Sequence, residues 1–233
     1  MSKLKKAPLI LICLAIPLAA LAADFWTKKP YQTWSAEETR KMLEESPWAT
    51  TLTIGGIQGN TISIDPPTNR GYDPSFSYTL QFRSARPIRE AQVRAQQLNA
   101  HYDNMTVDQR AAFDANAAKF LSATFPGRVI VAVTFHTSAQ GQDSWLSAYW
   151  ARQSTDTLKT KVFLNTDEER LSLTSYSFND DTFQFTFPRP KKLSPEGKIS
   201  LEFAHPQFDR VHEQRIVPAF SLKKMLVDGH PAL

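Results

Sequence analysis

The feature that most restricts what this chain can fold into lies at residues 182–187. Phe183, Phe185 and Phe187 alternate there with Thr182, Gln184 and Thr186. Strand side chains point to opposite faces with a period of two, so this spacing predicts a strand with one dry and one wet face. A helix would scatter the three rings around its axis. Half-buried strands of this kind belong to antiparallel sheets with a core on one side. Phe76, Tyr78, Leu80 and Phe82 repeat the alternation much earlier in the chain. The expected partner of 182–187 carries Leu171 and Leu173, joined to it across a turn at residues 179–181.

Further β-branched or apolar runs predict strands at 50–54, 61–64, 129–135, 161–164, 171–176, 199–203 and 215–222. Between the first two, the glycine-rich segment 55–60 reads as a hairpin turn. Ser35-Ala36-Glu37-Glu38 and Thr106-Val107-Asp108-Gln109 each set a hydroxyl three residues before a Glu or Gln, the pattern of a capping box. The first of these helices carries Arg40–Glu44 and Lys41–Glu45 at i,i+4 spacing. It is expected to stop near Ser46, because Pro47 disfavours helical geometry in the residue before it. Trp26, Trp34 and Trp48 are expected to pack it onto the body.

The second capping box opens a helix with Phe113, Ala117 and Phe120 on one face, ended by Pro126-Gly127. Pro87 suits a first helical position, with Ile88, Ala91, Ala95, Leu98 and Tyr102 following at helical spacing. Trp145, Leu146, Tyr149 and Trp150 predict a short helix over 144–152 that Asp143 would cap. Residues 188–197 read as a long connection. With no internal repeat and no linker, the reading is one α+β domain over 23–233, mostly antiparallel sheet with three to four helices packed on it.

The N-terminus has the three parts of a secretory signal. Lys3, Lys5 and Lys6 precede an apolar run from Leu9 to Ile16, Pro17 breaks it, and Ala20-Leu21-Ala22 supplies a small-x-small site. Residues 1–22 are therefore expected to be a signal peptide cleaved after Ala22, with a periplasmic or secreted product starting at Ala23. An uncleaved anchor is the competing reading, although the apolar run is short for a span and holds two prolines. Cys13 follows Ile12 rather than a small residue, which argues against a lipoprotein. The three lysines account for most of the excess of 27 Lys and Arg over 23 Asp and Glu. Without them the charge is near +1, so no basic stripe points to nucleic acid or anionic lipid, and no stable membrane insertion is expected after processing. The single cysteine leaves too, which removes disulfide and thiol chemistry.

No motif carries recognisable reaction chemistry. The glycines at 55–59 lack both the G-x-G-x-x-G spacing and the Lys-Ser/Thr of a phosphate loop. His101, His136, His205, His212 and His230 form no close ligand pair, and His212-Glu213 lacks the second histidine of a zincin. His136, Asp143 and Ser144 are neighbours in sequence, but no G-x-S-x-G elbow accompanies them. Asp65, Asn69, Gly71 and Asp73 share a loop whose prolines and missing glutamate break the EF-hand pattern. Glu168-Glu169 sits in a polar turn. No catalytic, cofactor-binding or metal residue is assigned, and no cofactor or metal dependence is expected. Phe25, Trp26, Tyr31 and Trp34 are the aromatics least explained by periodicity, and carbohydrate stacking is one role for exposed rings.

Several stretches resemble a family of uncharacterised exported bacterial proteins. They are Phe25-Trp26-Thr27-Lys28-Lys29-Pro30-Tyr31, Trp34-Ser35, Lys41-Met42-Leu43 and Ser46-Pro47-Trp48-Ala49 near the start. Phe187-Pro188-Arg189 and the run from Phe220 to Met225 match its later landmarks. The resemblance implies export and a single domain, and it supplies no catalytic residues. The function expected is a non-enzymatic binding or scaffolding protein whose partner is an envelope component. The alternative is an exported hydrolase, for which His136, at the end of a buried strand, is the candidate residue.

Overall fold

In the computed structural model the described residues are 25–55, 75–138, 142–206 and 214–233. The described residues open with a single helical turn, α1 (Phe25–Lys28), a 3-10 turn at Tyr31–Thr33 and helix α2 (Ala36–Glu44). Strands β1 (Glu45–Ser46), β2 (Ala49–Gly55) and β3 (Ser75–Phe82) precede the helices α3 (Arg86–Asn99) and α4 (Val107–Ser122). Then come β4 (Arg128–Thr137), α5 (Gln142–Ala151), the single turn α6 (Thr155–Leu158), β5 (Phe163–Thr166) and β6 (Arg170–Ser172). Strands β7 (Ser175–Asn179), β8 (Thr182–Pro188), β9 (Lys198–His205), β10 (Gln214–Ile216), β11 (Ala219–Ser221), β12 (Leu226–Val227) and β13 (His230–Pro231) complete the chain.

Two sheets face one core. The larger runs β1-β2-β3-β4-β8-β7, and the smaller runs β10-β9-β5-β6 with β11 also on β9. Every pairing among the described strands is antiparallel. Phe183, Phe185 and Phe187 are buried as their spacing requires, while Thr182, Gln184 and Thr186 stay half-exposed. The rings of Phe183 and Phe185 lie 6.1 and 6.2 Å from Phe203 of the second sheet, and Trp150 of α5 stacks on Phe183 at 4.0 Å. The opposite face of the large sheet is hydroxyl-rich. Thr51 and Thr79 meet across β2 and β3 at 2.9 Å, and Thr134 and Thr182 across β4 and β8 at 2.8 Å.

Both expected capping boxes form. Ser35 Oγ accepts from the Glu38 amide at 3.1 Å while Glu38 accepts from the Ser35 amide at 2.9 Å, and Thr106 and Gln109 do the same for α4. Helix α5 takes in residues 144–151 of the expected 144–152 segment but starts two residues earlier, at Gln142, and ends at Ala151. Asp143 therefore does not cap it; its carboxylate accepts from the Thr137 amide at the end of β4, at 3.0 Å.

Four expectations need correction. The strand joined to β8 across the 179–181 turn is β7 rather than one carrying Leu171 and Leu173, and β4 pairs with its other edge. The 171–176 run divides near Leu173, sending β6 to the small sheet and β7 to the large one. Alternation marks a strand's faces but not its neighbour. Likewise 215–222 breaks into β10 and β11, because Pro218 lacks the amide a ladder needs and instead accepts from the Leu201 amide at 3.2 Å. The α4 face of Phe113, Ala117 and Phe120 is not a core face. No residue of α4 is fully buried and Phe120 remains 42% exposed, since this helix packs mainly on α3. The expected strand 61–64, the glycine turn beyond Gly55, the Asp65–Asp73 loop, His212 and the first 22 residues lie outside the described residues. Among those described, no helix is long and apolar enough to cross a membrane.

Candidate functional site

The residues weighed from the sequence scatter. His101 occupies the left-handed position that ends α3, with φ of 49°, and is exposed. His136 is exposed on β4, and His230 is exposed on β13. His205 is 4% exposed, its Nδ1 lying 2.6 Å from the Tyr78 hydroxyl, and burial lowers its pKa to about 4. Glu168 and Glu169 close a tight turn in which both amides donate to Thr166 Oγ1, at 3.3 and 2.9 Å. Among the described residues no three His, Cys, Asp or Glu gather closely enough to hold a metal.

The buried carboxylate of Glu202 is the other site of concentrated charge. It accepts from Asn165 at 3.0 Å, from Arg170 at 3.1 Å and from Arg215, and Arg170 also lies over the Phe163 ring. Burial pushes its pKa up, but the bonds from Asn165 and Arg215 outweigh that and hold it low. Both oxygens are engaged, so this is a satisfied structural network.

Of the four unexplained aromatics, Phe25 and Trp34 are core. They stack edge to face at 5.3 Å, and the Trp34 indole donates to the Lys29 carbonyl at 3.2 Å. Tyr31 instead lines a cleft of about 600 Å³ between its own 3-10 turn, α3 and α4. Pro30 and the extended backbone of Trp34 bracket that turn, and packing of Trp34 fixes where Tyr31 emerges. Burial raises the Tyr31 pKa, and the carboxylates of Glu90 and Asp114 add to it.

The walls of this cleft are built from planar polar groups. Arg94 donates from Nε to the Trp34 carbonyl at 2.8 Å and from Nη1 to Gln97 Oε1 at 3.2 Å. Gln97 is only 5% exposed and still lines the cleft. Arg94 Nη2 and the Gln97 carboxamide N–H groups find no acceptor among the described residues. Across the cleft the Tyr102 hydroxyl donates to both oxygens of Asp114, at 2.9 and 2.8 Å, which raises its pKa. Its ring is set by Phe113 at 5.4 Å and by the Arg110 guanidinium at 5.8 Å. Arg110 is itself fixed by the Met105 and Asp103 carbonyls, at 3.1 and 2.8 Å.

Charge around the cleft balances: Arg86, Arg94 and Arg110 offset Glu90, Asp103 and Asp114, with Arg86 held by Glu90 at 2.8 Å. Tyrosine edges, unspent N–H donors and carboxylate acceptors thus meet with no net charge. Sequence reasoning flagged Tyr31 but not Arg94, Gln97, Tyr102 or Asp114. Tyr102 reads as a helix residue and Asp114 as ordinary surface; only α3 and α4 folding back together makes them neighbours.

No family profile and no curated protein matches the chain. Among solved structures it is similar to a protein of unknown function from Burkholderia pseudomallei K96243. That likeness is 14% identical over 60% of this chain and 73% of the other, with a TM-score of 0.40, and no inference follows from it.

Proposed function

We propose that this is an exported, non-enzymatic binding protein of the bacterial cell envelope, and that the Tyr31–Tyr102 cleft holds a neutral glycan. The observation that carries the reading is charge balance beside aromatic edges. A charged ligand would meet as much repulsion as attraction there, whereas a polyhydroxyl ligand can satisfy the free N–H groups of Arg94 and Gln97 and the Asp114 oxygens. Buried polar groups gain most from partners that complete their hydrogen bonds. Sugar rings lay apolar C–H faces on aromatic side chains, for which Tyr31 and Tyr102 are placed.

The direct experiment is calorimetric titration with neutral oligosaccharides, beginning with β-1,4-linked N-acetylglucosamine oligomers. Gln97→Leu and Tyr31→Ala are each expected to weaken binding about tenfold, the worth of one or two hydrogen bonds or a ring contact. Absence of binding to every neutral glycan would overturn the ligand class, and release of reducing ends would overturn the non-enzymatic reading. Export rests on residues 1–22 and is tested separately by intact mass of the protein from the envelope fraction. A chain beginning at Ala23 is expected; a full-length mass held tightly in the membrane would favour an anchor.

A further inference from the structure

A second cleft, of about 720 Å³, lies where the N-terminal segment meets the C-terminal one, and its electrostatics are the opposite of the first. Lys41 of α2 and Lys223 and Lys224 of the 3-10 turn Leu222–Lys224 line it, with Trp26, Pro47 and Leu226 as its apolar wall. Lys223 is spent on Glu196 at 3.1 Å. Lys41 and Lys224 have no ion pair among the described residues. The acidic residue in the lining is Glu45, and Arg40 stands 3.9 Å from its carboxylate while holding Glu44 at 2.7 Å. The two ammonium groups without an ion pair outnumber that one carboxylate at the mouth of a concave surface, where low-dielectric walls concentrate their field.

Trp26 gives that field a neighbour of particular chemistry. Its ring is held edge to face by Phe25 at 5.3 Å and by Trp48 at 6.1 Å, so it is rigid. Its indole N–H meets no acceptor among the described residues. An amphipathic ring beside lysines whose long stems carry charge outward is the combination found at the headgroup level of membranes. Lysine acts on phosphate as a compact point charge, without the bidentate fork that arginine offers to carboxylate and phosphate alike. The apolar wall of Trp26, Pro47 and Leu226 beside those charges favours a headgroup at a membrane surface over an acidic peptide.

We infer that the Trp26–Lys41–Lys224 cleft docks the protein on a membrane surface by taking the phosphate headgroup of an anionic phospholipid, with Trp26, Pro47 and Leu226 against its glycerol and upper acyl region. The inference does not depend on the tyrosine cleft.

Co-sedimentation with phosphatidylglycerol/phosphatidylcholine vesicles tests it, using the chain from Ala23 throughout so that the apolar run and lysines of residues 1–22 add no vesicle affinity of their own. Each lysine near an anionic surface is worth about fivefold in partitioning, so Lys41→Ala with Lys224→Ala should lose roughly thirtyfold. The Lys41→Arg/Lys224→Arg pair should keep most of the affinity for the mixed vesicles. Binding to pure phosphatidylcholine should be weak and indifferent to either pair. Trp26→Ala should weaken binding at high salt as well as low, because its contribution is not screened. Unchanged partitioning in the double alanine variant overturns the inference. So does full competition by millimolar glycerol phosphate, which would make the ligand a free phosphate ester rather than a surface.

Discussion

Two neighbouring residues show how much one polar contact governs in this core. Tyr78 is fully buried and His205 nearly so, with hydroxyl and Nδ1 2.6 Å apart and the Phe76 ring 4.6 Å from the imidazole. Burial holds the tyrosine's pKa high and lowers that of the histidine from 6.5 to about 4. The unfolded chain therefore binds a proton between those limits that the folded chain refuses. Stability from this site is complete above pH 6.5 and is lost as the pH falls toward 4, amounting to about 3 kcal/mol. Urea midpoints measured at pH 7 and pH 4.5 should differ by less in His205→Leu than in the parent; equal differences would show that His205 does not titrate in this window. Nothing in the residues around position 205 signals this. The alternation of β3 marks Tyr78 as buried, but its partner comes from the other sheet, 127 residues away.

Arg89 decides the fate of a whole element. It is 6% exposed, and its Nη1 donates to the carbonyls of Phe120, Leu121 and Ala123 at 3.0, 3.1 and 2.7 Å. These carbonyls belong to the last turn of α4 and its C-cap residue Ala123, and a cation there also answers the helix dipole. Because α4 buries no residue fully, this guanidinium does for the helix what an apolar face does elsewhere. Arg89→Met should preserve α3 and the sheets while amide protection across 107–122 falls, as read by hydrogen exchange. Loss of protection throughout the molecule would instead mark α4 as part of the cooperative core. Loosening α4 also opens the tyrosine cleft, so the same variant should weaken the glycan binding proposed for it. The starts of α2 and α4 were visible in sequence, since Ser35-x-x-Glu38 and Thr106-x-x-Gln109 name local bonds. The docking of α4 was not visible, because a low-polarity stripe of Phe113, Ala117 and Phe120 looks the same whether a sheet or a single helix covers it.

At the scale of the molecule, local periodicity revealed strands and helices, but sheet membership came from contacts the period of two does not encode. The break at Leu173 and the division at Pro218 move short strands between partners without changing their pattern. For the same reason both clefts join distant segments: Tyr31 meets Asp114, and Trp26 meets Lys224. What unites the sheets is the aromatic seam of Phe183, Phe185, Trp150 and Phe203. Phe185 touches five rings of that seam and its surroundings, with Phe183 at 5.1 Å, Tyr176 at 5.9 Å and Phe187 at 6.3 Å completing the set beyond Trp150 and Phe203. Truncating such a ring removes burial and leaves a cavity, at about 3–5 kcal/mol. Folded domains are stable by only about 5–15 kcal/mol, so the loss is a large share. Because the seam belongs to both sheets, unfolding should be one transition, with tryptophan fluorescence and far-ultraviolet dichroism giving coincident midpoints. Phe185→Ala should lower both midpoints together, while Gln184→Ala, on the wet face of the same strand, should shift them by little. Separation of the two probes in Phe185→Ala would mean that the small sheet folds on a core of its own.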